Sequence, residues 1–154
     1  MDIPLSPLIT NRKLSSSRKA EGLEEKYNRL RCWCLLASLD LYGCDRDHIS
    51  KPKLIRQFIV ELCDSINMKR YGPAMIKRFG TGNLKGYSAL QFIETSSITI
   101  HFDEGQDRAF IEIFSCKYFD PETALNFCQK FLKAKSGKVR HYLRSQISNS
   151  SHFK

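Results

Sequence analysis

Residues 87–116 read YSALQFIETSSITIHFDEGQDRAFIEIFSC, and this stretch decides the fold. Ile111 and Ile113 flank Glu112 with the two-residue alternation of a half-buried strand. The pattern predicts three strands, over Tyr87–Ile93, Ser97–Phe102 and Arg108–Cys116, with Gly105 in the turn between the last two. Ser96 immediately precedes the middle strand and His101 stands at that strand's far end. A hairpin through Gly105 returns Cys116 toward Ser96, so a hydroxyl and a thiol approach each other across one ladder.

Working outward, Leu30 to Leu41 is apolar and fits a buried strand, with Trp33 in the core and Gly43-Cys44-Asp45 ending it. Ser50 is placed to cap a helix with Pro52 in its first turn. Leu54, Ile55, Phe58, Ile59, Leu62 and Ile66 then recur at helical spacing. Tyr71–Phe79 reads as a further strand, and Gly80, Gly82, Asn83 and Gly86 mark the connection that follows. Asp120-Pro121 opens a second helix, whose apolar face carries Ala124, Leu125, Phe127, Cys128, Phe131 and Leu132. The order β-α-β-β-β-β-α makes an α+β protein: a two-layer α/β sandwich, its sheet mostly antiparallel, with helices on one face. One domain is expected over 23–144. Residues 1–22, with Pro4, Pro7 and Ser15-Ser16-Ser17, read as a disordered basic leader, and 145–154 as a flexible tail.

Composition narrows the function classes. Of 154 residues, 42% are hydrophobic and 27% charged, as in ordinary globular proteins. The net charge of +9 invites a nucleic-acid reading, but it is concentrated at the ends. Residues 130–154 hold seven Lys/Arg and no acid, while 23–129 sum to zero. A solvated basic tail is expected, and nucleic acid is not the expected partner. No apolar run approaches the roughly 18 residues of a membrane helix, and no secretory signal is visible, so a cytoplasmic protein is expected. The six cysteines are then reduced, and most are small buried hydrophobes. Cys32-x-Cys34 has no second pair at zinc-ribbon spacing, so no metal site is expected. His48 reads as an exposed loop residue, and His141 and His152 fall in the basic tail.

A Ser, a His and a Cys this close together are a weak signal by spacing alone, since no nucleophile elbow or orienting acid accompanies them. The run Thr95-Ser96-Ser97-Ile98-Thr99-Ile100-His101, followed by Ile111-Glu112-Ile113-Phe114-Ser115-Cys116, carries more. It resembles the processing site of the bacterial and archaeal S-adenosylmethionine decarboxylases. Asp40-Leu41-Tyr42-Gly43-Cys44-Asp45, Arg78-Phe79, Tyr87-Ser88-Ala89 and Asp120-Pro121 resemble further segments of that family, over residues 30–134 in all. The resemblance implies self-cleavage between Thr95 and Ser96, with Ser96 becoming a pyruvoyl group, the cofactor of these enzymes. His101 would assist the proton transfers, Ser88 would hold the intermediate, and Cys116 would return a proton to the substrate carbon. The ketone would take up the electrons that decarboxylation leaves, which no ordinary side chain can do. Phe79 matches an expected stacking aromatic of the substrate site. The implied assembly is a homodimer of processed protomers with the active site near the interface.

The chain departs from the family pattern in two places. Thr95 stands where the family usually has Glu. Asp103, Glu104 and Gly105 replace an aromatic-Pro-Glu run expected to help bind the nucleoside, leaving Asp103 and Glu104 as its acids. Two alternatives follow. One is a pyruvoyl enzyme for another amino acid, such as arginine or ornithine, with Asp103 or Glu104 pairing the cationic side chain. The other is an uncleaved homologue that binds or regulates a partner.

Overall fold

The computed structural model describes residues 21–145. Helix α1 (Leu23–Arg29) leads into β1 (Cys32–Tyr42), a short α2 (Arg46–Ser50), α3 (Pro52–Ser65), β2 (Arg70–Phe79), a 3-10 turn at Gly82–Leu84, β3 (Gly86–Ile93), β4 (Ser96–Asp103), β5 (Arg108–Ser115), α4 (Pro121–Phe131) and β6 (Ser136–Ser145). The strands form one six-stranded sheet in the order β2-β3-β4-β5-β1-β6. Its paired strands are antiparallel. The mixed α+β class and the antiparallel sheet with helices packed on it are as the sequence implies.

Alternation builds the core. Leu35, Ala37, Leu39 and Leu41 of β1, Ile98 and Ile100 of β4, and Ile111 and Ile113 of β5 are fully buried, with Ile55, Phe58, Ile59 and Leu62 of α3 and Ala124 and Cys128 of α4. Each such Ile or Leu contributes about 1.5–3 kcal/mol of burial. Phe127 and Phe131 of α4 close over Phe58, at 6.0 and 5.3 Å between ring centroids. The intervening residues of the strands, among them Leu36, Leu90, Phe92, Thr99, His101, Phe110 and Phe114, form the opposite face and are half-buried or exposed. Asp120 caps α4 by accepting from the Glu122 and Thr123 N–H groups, with Pro121 at the first position.

Several expectations are corrected. The basic stretch after Lys130 is not wholly a solvated tail, because residues 136–145 pair along β1 as the edge strand β6. Only Val139 and Leu143 of its alternating residues are apolar and partly buried, so the pattern is masked by Lys138, Arg140 and Arg144. Trp33 is 52% exposed rather than in the core. The register of β1 against β6 shifts between Cys32 and Cys34, and Trp33 stands edge-on to Phe114 at 6.2 Å. Leu30 ends α1 rather than starting β1. Ser50 closes α2, its Oγ donating to the Arg46 carbonyl, and α3 has no side-chain cap. His48 is not merely exposed: its Nδ1 lies 2.7 Å from Asp45 and its ring meets Phe131 edge-on. The expected leader and tail, with His152, lie outside the described residues apart from Glu21, Gly22 and Ser145.

Candidate active site

The turn between β3 and β4 is two residues long, Glu94-Thr95, because Ile93 pairs directly with Ser96. Thr95 takes φ +67°. A β-branched residue rarely adopts this left-handed backbone, which costs about 1–3 kcal/mol and persists only where its surroundings hold it. Here the Glu94 N–H donates to the Lys69 carbonyl at 2.8 Å, and Thr95 Oγ1 donates to the Glu94 carbonyl at 2.7 Å.

Ser96 follows this strained residue. Its Oγ donates to the Thr95 carbonyl at 2.5 Å and accepts from the Cys116 N–H at 2.8 Å. The hairpin through Gly105 therefore does return Cys116 to Ser96. The two hydrogen-bond partners of the hydroxyl are a backbone carbonyl and a backbone N–H, and neither is a base. Cys116 itself is half-buried. Its turn is tied by Ser115, whose Oγ accepts from the Lys117 N–H at 3.0 Å, and by Tyr27, whose hydroxyl donates to the Cys116 carbonyl at 3.2 Å. Of the other cysteines, Cys34, Cys44, Cys63 and Cys128 are buried, and all six are unbridged. Burial pushes the Cys44 and Cys63 thiols up to about 11, which keeps them protonated and inert.

A second pair forms further along the sheet. Ser88 and His101 are cross-strand partners, and Ser88 Oγ lies 2.9 Å from His101 Nδ1. They border a pocket of about 560 Å³ lined also by Phe79, Leu84, Asp103 and Phe110. That volume suits a ligand of drug or nucleoside size. Gly86 lets β3 pass against the next turn, since a Cβ there would lie 1.9 Å from the Phe102 carbonyl oxygen.

The two acids of the β4–β5 turn are already engaged. Asp103 lies opposite Arg108 in the hairpin register and accepts from its guanidinium, and from the Gly105 and Gln106 N–H groups. Burial raises its pKa, but these donors outweigh it and hold Asp103 below its ordinary 3.8. Glu104 is 8% exposed; its Oε2 meets Arg78 at 2.6 Å, and its Oε1 has no partner among the described residues. Thus Asp103 lines the pocket and Glu104 does not.

The structure joins Ser96 to Cys116 and Ser88 to His101, but it does not join the two pairs. His101 lies five residue steps along the strand from Ser96, a span of about 16 Å at ~3.3 Å per residue. Sequence reasoning missed Tyr27, Phe110 and Arg108, and it singled out Arg78 only as part of a family segment, without its pairing to Glu104. The signal for Arg108 was present: hairpin symmetry about Gly105 sets it against Asp103. Tyr27 had none, being one aromatic in a polar stretch.

A family sequence profile described as S-adenosylmethionine decarboxylase matches residues 36–145. A Clostridium botulinum (strain Hall) S-adenosylmethionine decarboxylase proenzyme is 28% identical over 110 residues, covering 71% of this chain and 91% of that protein. The proenzyme of the same name from Caldicellulosiruptor saccharolyticus is 29% identical over 96 residues, covering 62% and 74%. The crystal structure of the Aquifex aeolicus adenosylmethionine decarboxylase shares the fold, with a TM-score of 0.63 at 20% identity, over 79% of this chain and 98% of that one. The 36–145 match takes in β6, which the sequence pattern concealed, and leaves α1 outside. The chain belongs to the S-adenosylmethionine decarboxylase proenzyme family, of bacterial type.

Proposed function

We propose that this protein is a pyruvoyl-dependent S-adenosylmethionine decarboxylase, acting in polyamine (spermidine) synthesis, which matures by cutting itself between Thr95 and Ser96 and works as a homodimer. The observation that carries this is the Ser96 hydroxyl, held against the Thr95 carbonyl by the Cys116 N–H. Attack of Oγ on that carbonyl carbon forms an ester, and the hydroxyl proton passes to the released Ser96 nitrogen. Loss of the Ser96 α-proton then breaks the Cβ–Oγ bond, and Thr95 departs as a carboxylate. The residual enamine tautomerises, takes up water and loses ammonia, which leaves pyruvoyl at the head of residues 96–154. Thr95 instead of Glu does not forbid this, because the carbonyl is the group attacked. The left-handed backbone at Thr95 favours it, since the cut releases the strain.

Each step needs a proton acceptor or donor near Ser96, and no imidazole among the described residues bonds to it. A second copy seated on the open sheet face supplies the partner's His101 and the partner's Ser88. Phe92 and Met75, each over half exposed, and the half-buried Leu36, Phe110 and Phe114 make that face apolar enough to be covered.

In the mature protein the pyruvoyl ketone would supply the electron sink for decarboxylation. Cys116 is the residue to return a proton to the substrate carbon, and its position beside Ser96 supports that role. Phe79 and Phe110 give the pocket aromatic surface for a nucleobase. The ion pairs Asp103–Arg108 and Glu104–Arg78 weigh against arginine or ornithine, whose cationic ends would need a free carboxylate. Asp103, on the pocket wall, is the acid to bind a hydroxyl group, while Glu104 stays paired with Arg78 outside the pocket. Carbon dioxide release compared among S-adenosylmethionine, arginine and ornithine tests the substrate. Release from S-adenosylmethionine alone is expected, and release only from another amino acid overturns the assignment.

A further inference from the structure

Tyr27 stands on α1, upstream of residues 36–145 that the family profile matches. It is buried, and its ring lies tilted against Tyr118 with centroids 5.5 Å apart. Its hydroxyl donates to the Cys116 carbonyl at 3.2 Å, while the N–H of the same Cys116 donates to Ser96 Oγ at 2.8 Å. Cys116 is thus held at its carbonyl by Tyr27 and holds the nucleophile by its amide. The residues on either side have separate anchors. Ser115 Oγ donates to the Lys117 carbonyl at 2.6 Å, and Lys117 Nζ donates to the Asn67 carbonyl at 3.2 Å.

We propose that Tyr27 is a positioning residue for self-cleavage and for the proton return by Cys116, supplied from α1, which precedes the residues that the family profile matches. The inference rests on the processing reading above. A hydroxyl that attacks its own chain must be held within a few tenths of an ångström and the right angle, and small displacements are costly. Freeing the Cys116 carbonyl lets the turn after β5 rotate, which loosens the N–H on Ser96 and turns the thiol. Burial pushes the Tyr27 hydroxyl pKa up, helped by the nearby thiols, so the group stays a donor through neutral pH. Tyr27 does not line the pocket, so its effect falls on the chemical steps and not on substrate binding.

The test uses the full chain. Tyr27→Phe keeps the ring and removes only the donor, and cleavage of freshly made precursor is followed by intact mass. Cleavage about five-fold slower than wild type is expected for one lost hydrogen bond. Fully processed Tyr27→Phe should show a similar fall in kcat with KM unchanged. Stability is compared in the uncleavable Ser96→Ala background, where adding Tyr27→Phe should move the thermal midpoint by no more than about 2 °C. Wild-type rates of cleavage and kcat in Tyr27→Phe overturn the inference and leave the processing reading intact. A midpoint lowered by more than about 5 °C assigns the slowing to lost stability and also overturns it. A wild-type chain that never cleaves overturns the processing reading and this inference with it.

Discussion

Ser96 and His101 share strand β4 and do not meet: Ser96 bonds backbone atoms of Thr95 and Cys116, while His101 bonds Ser88 on the neighbouring strand. A site divided in this way can be completed by two copies. Co-expression of a Ser96→Ala chain with a His101→Ala chain is therefore expected to restore cleavage to the His101→Ala copies, which keep Ser96 and borrow the partner's His101. Each variant alone should stay uncleaved or cleave at least about ten-fold more slowly, a loss within the range of general acid–base catalysis. Mass spectrometry of tagged chains checks it. Cleavage at full rate in His101→Ala alone would remove His101 from the reaction.

Thr95 at φ +67° makes a second prediction. Thr95→Gly relaxes a backbone that glycine adopts freely, so the uncleaved chain should gain about 1 kcal/mol and cleave about five-fold more slowly. Thr95→Ala keeps the penalty and should cleave near the wild-type rate. Pulse-chase of the precursor measures both.

Which parts of this were legible in sequence follows from what each feature depends on. The Ser96–Cys116 approach depends only on strand alternation and a turn at Gly105, and both are written locally. Asp120-Pro121 announced α4 for the same reason. Strand β6 was hidden because it is a charged edge strand whose burial comes from Leu125 against Gly137 and from pairing with β1. Trp33 was misplaced because a register shift, which no local pattern marks, intervenes between Cys32 and Cys34. The engagement of Glu104 by Arg78, 26 residues away, needed the packing of β2 beside the β4–β5 turn.

The Asp103–Arg108 pair should give stability a pH signature. A carboxylate with a lower pKa folded than unfolded stabilises the fold above the unfolded value and loses that contribution as pH falls through the folded one. Asp103→Asn should thus cost about 1–2 kcal/mol near neutral pH. Its thermal midpoint should converge with that of the parent as pH falls through the lowered folded pKa of Asp103, where the carboxyl becomes protonated in both states. Scans in the Ser96→Ala background from pH 2 to 7, at roughly unit steps, check this.

Arg78→Ala should strand the buried Glu104 carboxylate with no partner on either oxygen. The cost is about 1–2 kcal/mol, moderated because Arg78 is itself partly exposed. Adding Glu104→Gln, which removes the charge, should recover part of the loss. Denaturant midpoints of the single and double variants measure the difference.

Cleavage before Ser96 is the claim from which the cofactor, the dimeric site and the role of Tyr27 all descend, and intact mass spectrometry of the purified protein tests it most directly. Two chains are expected, 1–95 and 96–154, with the second blocked to Edman degradation, and a single full-length chain from Ser96→Ala. A wild-type protein that stays one chain after long incubation, or a Ser96→Ala protein that still splits, would contradict it.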